Sequence, residues 1–165
     1  MKKTVFFMMA ACILWGCATM SNESGLSKSE KRTLVEKKVN EMLDNRHFKI
    51  EVDMMHPLNY PSKSLSTYFS MEIRNDSILS YLPYLGRAYQ VPYGGGKALN
   101  FEAPIRQYQE SFPKKHMRRI ELSTDNGEDI LFYSIEVFAN GNSTIHVQSR
   151  NRQSISFDGE MKIDE

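Results

Sequence analysis

Apolar residues recur at every second position along most of this chain, from Phe48 to Ile163. Such alternation puts apolar side chains on one face of a β-strand and polar side chains on the other. The clearest runs are Phe48, Ile50, Val52 and Met54, then Phe69, Met71 and Ile73, and finally Ile155, Phe157, Met161 and Ile163. The pattern restricts the chain to strands of a sheet that buries one face.

Turn residues separate these runs. Asn75-Asp76 favours a tight turn, and Asn126-Gly127 and Asn140-Gly141 are pairs that accept positive φ in two-residue hairpins. Sequential strands joined by such turns are antiparallel, because the chain reverses direction at each one. We therefore expect seven to nine antiparallel strands.

One helix is expected before the sheet, at about residues 28–45. Ser27 followed by Glu30 fits a capping box. Helical spacing then relates the apolar residues Leu34, Val35, Val39, Met42 and Leu43. The strand over residues 128–138 carries apolar residues on both faces, with Ile130, Phe132 and Phe138 on the second. We predict that the helix covers that second face. The expected fold is α+β and mainly antiparallel β, with one N-terminal amphipathic helix packed on a barrel-like or two-layer sheet in a single domain over 27–165.

The N-terminus has the parts of a secretory signal peptide in order. Met1-Lys2-Lys3 precedes an uncharged stretch from Thr4 to Trp15, and Leu14-Trp15-Gly16-Cys17 resembles a bacterial lipobox, whose Cys is lipidated. The stretch is too short to cross a hydrocarbon core of about 30 Å as a helix. Cys12 is the rival lipid site, but it would leave a shorter apolar region. We predict a signal peptide over 1–17, a lipid on Cys17 and a flexible tether over 18–26.

Composition excludes several functional classes. Removing residues 1–17 takes away two of the 21 basic residues and none of the 20 acidic ones, so the formal net charge becomes about −1 and nucleic acid is not an expected partner. Both cysteines lie in the export segment, which excludes disulfides and thiolate catalysis in the domain. The histidines, His47, His56, His116 and His146, share no metal-ligand spacing. We predict no metal, no cofactor and no catalytic residue.

The densest segment covers residues 80–96 and holds four tyrosines, Tyr81, Tyr84, Tyr89 and Tyr93. They could line a ligand cleft, or they could plug a barrel end where Pro83 and Gly86 bend a strand. Together with the lipobox, Ala98-Leu99-Asn100-Phe101 and the stretch 150–159, this segment resembles Bacteroidota lipoproteins of the domain of unknown function 4251 family, over about residues 30–163. The resemblance implies a cell-envelope location and no activity.

Three shorter segments can be compared with known functional motifs or roles. Gly94-Gly95-Gly96-Lys97 lacks the spacing and the Ser or Thr of a phosphate loop. The basic run over 114–119 either contacts anionic surfaces or protects an exposed strand edge. Asp76-Ser77-Ile78 resembles the O-glycosylation acceptor of Bacteroidota, but three loosely defined positions match often by chance, which favours a plain turn serine.

These observations predict a non-enzymatic, lipid-anchored envelope protein that binds a small amphipathic ligand inside the sheet or another envelope protein on its surface. The alternatives are a structural interaction module and an envelope hydrolase. A hollow interior would favour the ligand, a filled interior with exposed apolar residues would favour the protein partner, and a polar cleft joining a histidine to a carboxylate would favour the hydrolase. Only Glu23 is acidic soon after Cys17, so we expect a periplasm-facing outer-membrane lipoprotein.

Overall fold

The computed structural model describes residues 27–90, 93 and 96–163. Cys17, the predicted signal peptide and the predicted tether lie outside the described residues. The helix α1 covers Lys28–Asp44 and is followed by eight strands: β1 His47–Pro57, β2 Lys63–Arg74, β3 Ser77–Tyr81, β4 Asn100–Lys114, β5 Met117–Asp125, β6 Ile130–Phe138, β7 Asn142–Ser149 and β8 Ile155–Met161.

The eight strands form a closed barrel in sequence order, and every neighbouring pair is antiparallel. Closure comes from β8, which pairs with β1 from Ile50↔Met161 to Pro57↔Ile155. The predicted α+β class and antiparallel sheet are confirmed, and of the two predicted architectures the barrel is the one that forms.

Side chains fill the barrel interior. Phe48, Tyr133 and Phe157 are at most 2% exposed and belong to one continuous apolar core. The Tyr133 hydroxyl donates to Ser80 Oγ at 3.2 Å, and Ser80 Oγ donates to the Leu99 carbonyl at 2.7 Å. Burial raises the pKa of Tyr133 above its ordinary value. An eight-stranded barrel has room either for its own side chains or for one small ligand. Here the continuous cluster of buried side chains makes the interior a packed core.

The helix begins as the sequence predicts. Ser27 Oγ accepts from the Glu30 N–H at 3.3 Å, and the Ser27 N–H donates to Glu30 Oε2 at 2.7 Å, which completes the capping box. These hydrogen bonds lower the pKa of Glu30. Val39 and Leu43 are buried, but Leu34 is 46% exposed, so its predicted place in the buried stripe is wrong.

The helix packs across one end of the barrel, beside Met117 and Val137 at the ends of β5 and β6. The prediction that it covers the outer face of the 128–138 strand is wrong, because Phe132 remains 48% exposed and Phe138 38% exposed. Polar contacts also join the helix to this end: Asp44 accepts from Arg118 Nη1 at 2.6 Å. The apolar stripe of α1 is too short to cover a strand, since only Val39 and Leu43 are fully buried.

The turns differ in length from the prediction. Of the three predicted turns, only Asn75-Asp76 is a two-residue connection, with Asn75 at a φ of 52°. Residues 126–129 join β5 to β6, and residues 139–141 join β6 to β7. In both longer connections the glycine has positive φ, 84° at Gly127 and 90° at Gly141, and the preceding asparagine does not. A two-residue type I′ turn needs positive φ at both central residues, and neither Asn126-Gly127 nor Asn140-Gly141 meets that requirement.

Candidate functional site

The described residues of the connection between β3 and β4, 82–90, 93 and 96–99, lie at the barrel end opposite the helix. The ends of this connection are buried at Leu82 and Leu99, where the Leu82 N–H donates to the Leu99 carbonyl at 3.2 Å. Its middle contacts the β7–β8 connection, because the Tyr89 N–H donates to the Asn151 carbonyl at 2.7 Å. The segment singled out in the sequence therefore folds against this end of the barrel.

Tyr84 is the member of the tyrosine segment that has a structural role. Its ring packs against the core, and its hydroxyl donates toward the carbonyls of Arg87 and Gln153, each at 3.1 Å. The Arg152 guanidinium lies 5.5 Å from the ring centroid. Burial raises the pKa of Tyr84, and Arg152 opposes that shift. These contacts attach the 82–99 connection to the β7–β8 connection.

The other three tyrosines of the segment reach solvent. Tyr81 lies with its ring centroid 5.3 Å from that of Phe69, while Tyr89 is 63% exposed and Tyr93 is fully exposed. Topology brings further exposed residues to the same end from the β1–β2 connection and from β2. We call this set the tyrosine end: Leu58, Tyr60, Tyr68, Tyr81, Leu85, Tyr89 and Tyr93. It contains seven of the eleven exposed large apolar side chains of the described residues.

Sequence reasoning missed Leu58, Tyr60 and Tyr68 as members of this set. Leu58 and Tyr60 flank Asn59 just before Pro61, in the connection between β1 and β2, so their position outside the alternating pattern was a usable signal. Tyr68 lies inside β2, where the register between β1 and β2 shifts, and only the structure reveals that irregularity.

Basic residues surround the tyrosine end. Lys63, Arg87 and Arg150 are exposed and Arg152 is partly exposed, and within the described chain none of the four forms an ion pair. The nearby acidic side chain of Asp129 is buried and accepts hydrogen bonds from Ser149 and Asn151. This end therefore combines exposed aromatic rings with unpaired positive charge.

The basic run over 114–119 has a different role from either predicted one. It forms the β4–β5 turn and the first residues of β5, which pairs on both sides and is not an edge. Arg118 binds Asp44 and Glu110, at 2.6 and 3.3 Å. The remaining ion pairs of the run are His116 with Glu36 at 2.7 Å and Arg119 with Glu136 at 2.6 Å. These contacts join the helix, the turn and β6, and they use both arginines of the run inside the molecule.

The structure also assembles a hydrogen-bonded chain that the sequence did not reveal. Both nitrogens of the His56 ring form hydrogen bonds: Nδ1 lies 2.7 Å from Ser62 Oγ, and Nε2 lies 2.8 Å from Asp158 Oδ2. The other Asp158 oxygen accepts from Thr144 Oγ1 at 3.0 Å. A carboxylate accepting from Nε2–H leaves Nδ1 free to accept the serine proton. These hydrogen bonds are short, but 35% of the His56 side chain and 49% of the Asp158 side chain are exposed to water.

The remaining candidates have simpler surroundings. Gly94 and Gly95 lie outside the described residues, and the Lys97 N–H donates to Glu128 Oε2 at 2.8 Å, a carboxylate where a phosphate loop would hold its anion. Ser77 is the partly exposed first residue of β3, beside Asp76, whose side chain is 92% exposed. Asp76 thus lies in an accessible turn and Ser77 directly beside it, while Ile78 is buried in β3.

Two further observations concern metals and membranes. Across the described ranges, no group of three or more His, Cys, Asp or Glu side chains is arranged to hold a metal ion. No helix in those ranges combines the length and apolar character needed to cross a membrane.

Comparison with known proteins yields a family and a fold. No curated protein sequence matches the chain. A crystal structure of a DUF4251 family protein from Bacteroides eggerthii DSM 20697 is similar, with a TM-score of 0.56 and 12% identity, over 78% of this chain and 87% of that chain. At that identity the likeness concerns the fold alone. The family described as "Domain of unknown function (DUF4251)" matches residues 30–161, and the chain therefore belongs to the DUF4251 family.

Proposed function

We propose that this protein is a non-enzymatic, lipid-anchored cell-envelope protein that binds another envelope protein through its tyrosine end. The observation that carries the proposal is the distribution of apolar side chains: the barrel interior is filled, and most exposed large apolar residues are collected at one end. Contiguous exposed apolar surface is characteristic of interaction sites.

The chemistry of the tyrosine end suits a protein partner. Tyrosine and arginine are enriched at the energetic centres of protein interfaces, where a tyrosine buries a ring and still offers a hydroxyl. Lys63, Arg87 and Arg150 add positive charge around the rings. We therefore expect a partner with an acidic surface that includes an apolar pocket for a tyrosine ring.

The arrangement along the chain is compatible with anchoring at Cys17. The described chain begins with α1, which packs on the barrel end opposite the tyrosine end. A lipid on Cys17 in the inner leaflet of the outer membrane would attach the molecule on the helix side. The tyrosine end would then face the periplasm, where a soluble or membrane-bound partner can reach it.

Photo-crosslinking in living cells tests the proposal. A photoreactive amino acid at Tyr60 or Tyr89 should give one reproducible crosslinked partner, whereas the same amino acid at Lys162, near the helix end, should not. With the purified partner, Tyr89→Ala should weaken binding at least tenfold, about 1.4 kcal/mol, without changing the thermal midpoint. Equal crosslinking at both ends, or unchanged affinity of Tyr60→Ala and Tyr89→Ala, would contradict the proposal.

The two other non-enzymatic alternatives, an internal ligand site and a purely structural module, are less well supported. A small amphipathic ligand inside the sheet would need space that the packed core residues occupy. A purely structural module would not need exposed rings flanked by unpaired basic residues, because such residues contribute little to the stability of the isolated domain.

A hydrolase is the second candidate function, and the Ser62–His56–Asp158 chain favours it. In that mechanism Asp158 orients the His56 ring, His56 Nδ1 accepts the Ser62 proton, and Ser62 Oγ attacks a carbonyl carbon. His56 then returns the proton to the leaving group as its bond to that carbon breaks, and water hydrolyses the acyl-enzyme and restores Ser62. The exposure of His56 and Asp158 argues against it, since water screens their interaction and competes for their hydrogen bonds. A fluorophosphonate probe that labels the wild type and fails to label Ser62→Ala and His56→Ala would establish this alternative; no labelling would exclude a nucleophilic Ser62.

Ser77 is proposed as an O-glycosylation site on the basis of its sequence and its place at an exposed turn. Intact mass spectrometry of protein from its native host should show a mass above that of the polypeptide and its lipid. The excess mass should disappear in Ser77→Ala and persist in Ser70→Ala. A wild-type mass without any glycan would refute the assignment.

A further inference from the structure

A groove of about 690 Å³ lies on the outer surface of the barrel, across β4, β5, β6 and β7. Its volume falls within the range of roughly 300–1,000 Å³ that small-molecule sites occupy. We call it the glutamine groove, because Gln107, Gln109 and Gln148 line it together with Glu121, Phe132 and His146. It shares no residue with the tyrosine end.

Strand register builds the groove as two parallel rows. The first row crosses the four strands in order, and each member lies directly opposite the next: Gln107 on β4, Ser123 on β5, Phe132 on β6 and Gln148 on β7. At about 4.8 Å between strands, the row is about 14 Å long.

The second row runs beside the first, two residues further along each strand. It consists of Gln109, Glu121, Ser134 and His146, again in direct cross-strand register. Two residues along a strand separate the rows by about 7 Å. The outer surface of the four strands thus carries polar side chains and one aromatic ring at regular spacings of about 4.8 Å across the strands and 7 Å along them.

The side chains of the groove are partly held in place. His146 Nδ1 lies 2.8 Å from Ser156 Oγ, and the Gln148 amide nitrogen lies 3.3 Å from His146 Nε2. A proton on Nδ1 that is donated to Ser156 leaves Nε2 to accept from the Gln148 amide. The Gln148 carbonyl oxygen then remains available to a ligand. A ligand therefore meets an oriented acceptor without having to order it.

The electrostatics of the groove select the class of ligand. Glu121 is the one side chain of the described lining that carries a formal charge at neutral pH, and no Lys or Arg lines it. An anionic ligand would meet Glu121 without a compensating cation, and a purely apolar ligand would desolvate amide groups without replacing their hydrogen bonds. A neutral ligand with many hydroxyl groups satisfies these amides, because each glutamine offers two donors and a carbonyl acceptor.

Phe132 adds a flat apolar surface at the centre of the first row. It is 48% exposed, although it lies on a strand whose inward residues are buried and whose other outward residues include Ser134 and Glu136. An exposed ring between polar neighbours can contact the apolar C–H face of a sugar ring while the neighbours bind its hydroxyls. From this combination of ring, amides and low charge we infer that the glutamine groove binds a neutral oligosaccharide.

Calorimetric titration of the full-length protein, in a detergent without a sugar headgroup, tests this inference. The probes are malto-, cello-, xylo- and chito-hexaose as neutral sugars, hexagalacturonate as an anionic sugar and a mixture of unstructured peptides. At least one neutral hexaose should bind, and binding should weaken at least tenfold in Phe132→Ala and in Gln148→Ala. Phe132→Tyr should restore it, since the ring is retained.

Phe138→Ala is the matched control, because Phe138 is also partly exposed on the outer face of β6 but lies outside the groove. Its affinity for the hexaose should equal that of the wild type. The inference is overturned if no neutral hexaose binds, if Phe132→Ala binds as tightly as the wild type, or if Phe138→Ala loses affinity equally. Binding of hexagalacturonate or of the peptides, without binding of any neutral hexaose, also overturns it and identifies the groove as a different kind of site.

Discussion

Truncation of Leu43 measures how much the helix contributes to the stability of the barrel. Leu43 is 1% exposed and packs at the barrel end next to Val39. Leu43→Ala removes three carbon atoms from that contact, which at about 0.8 kcal/mol per methylene corresponds to a loss of about 2.4 kcal/mol. A space of about 200 Å³ already adjoins the site, so water can enter and the additional cavity cost should be small. We expect a total loss of about 2–3 kcal/mol.

Guanidinium denaturation followed by circular dichroism provides the measurement. The midpoint should fall while the slope of the free energy of unfolding against denaturant stays constant, because the surface exposed on unfolding hardly changes. Leu34→Ala is the matched control: Leu34 is 46% exposed on the same helix, so its effect should stay within about 0.5 kcal/mol. If Leu43→Ala costs no more than Leu34→Ala, the helix does not stabilise the barrel and the reasoning fails.

Three further predictions concern other parts of the chain. A Cβ at Gly159 would overlap the Glu51 carbonyl oxygen and lie 2.8 Å from Val52 Cα, both in the backbone of β1, so Gly159→Ala should cost at least about 3 kcal/mol in chemical denaturation. Gly127→Ala, with positive φ but open space around it, should cost about 1–2 kcal/mol, and similar costs for the two variants would contradict the close approach. Burial raises the pKa of Tyr133, so the stability that its neutral phenol contributes is complete below the unfolded pKa of about 10 and is lost as the pH rises above that value. The free energy of unfolding of Tyr133→Phe should therefore fall less steeply at alkaline pH than that of the wild type. An equally steep fall would argue against a buried phenol. Cys17→Ala should abolish lipid incorporation and detergent-phase partitioning while Cys12→Ala keeps both, because acyl chains contribute about 0.8 kcal/mol per buried methylene; lipid retained on Cys17→Ala would refute the assignment.

Local features of this fold could be predicted because they depend on neighbours in the sequence. The Ser27–Glu30 capping box involves residues three apart, and the alternation from Phe48 onward reports which side of each strand is apolar. Both are present in the structure. Leu34 shows the limit of the same reasoning, since helical spacing identifies a stripe but not which members of the stripe meet the barrel.

The helix position and the turn lengths could not be predicted, because they depend on distant contacts. The 128–138 strand is apolar on both faces, which suggested a cover for it, yet Phe132 and Phe138 stay exposed in the folded protein. The helix is held instead by contacts such as that of Arg118 with Asp44, two residues that are 74 positions apart in the chain. Spacing within the sequence carries no information about such pairs.

The sequence by itself determined that this protein is an antiparallel β domain with one capped helix, and it carried a resemblance to its family; the N-terminal export signal stays a prediction. Those conclusions follow from periodicity, turn chemistry and local motifs, which act over a few residues. Only the tertiary structure decided that the sheet closes on itself, that His56 meets Asp158, and that Gln107, Phe132 and Gln148 share one groove. The physical reason is register: alternation assigns each side chain to a face, but hydrogen bonding between strands decides which residues of different strands become neighbours.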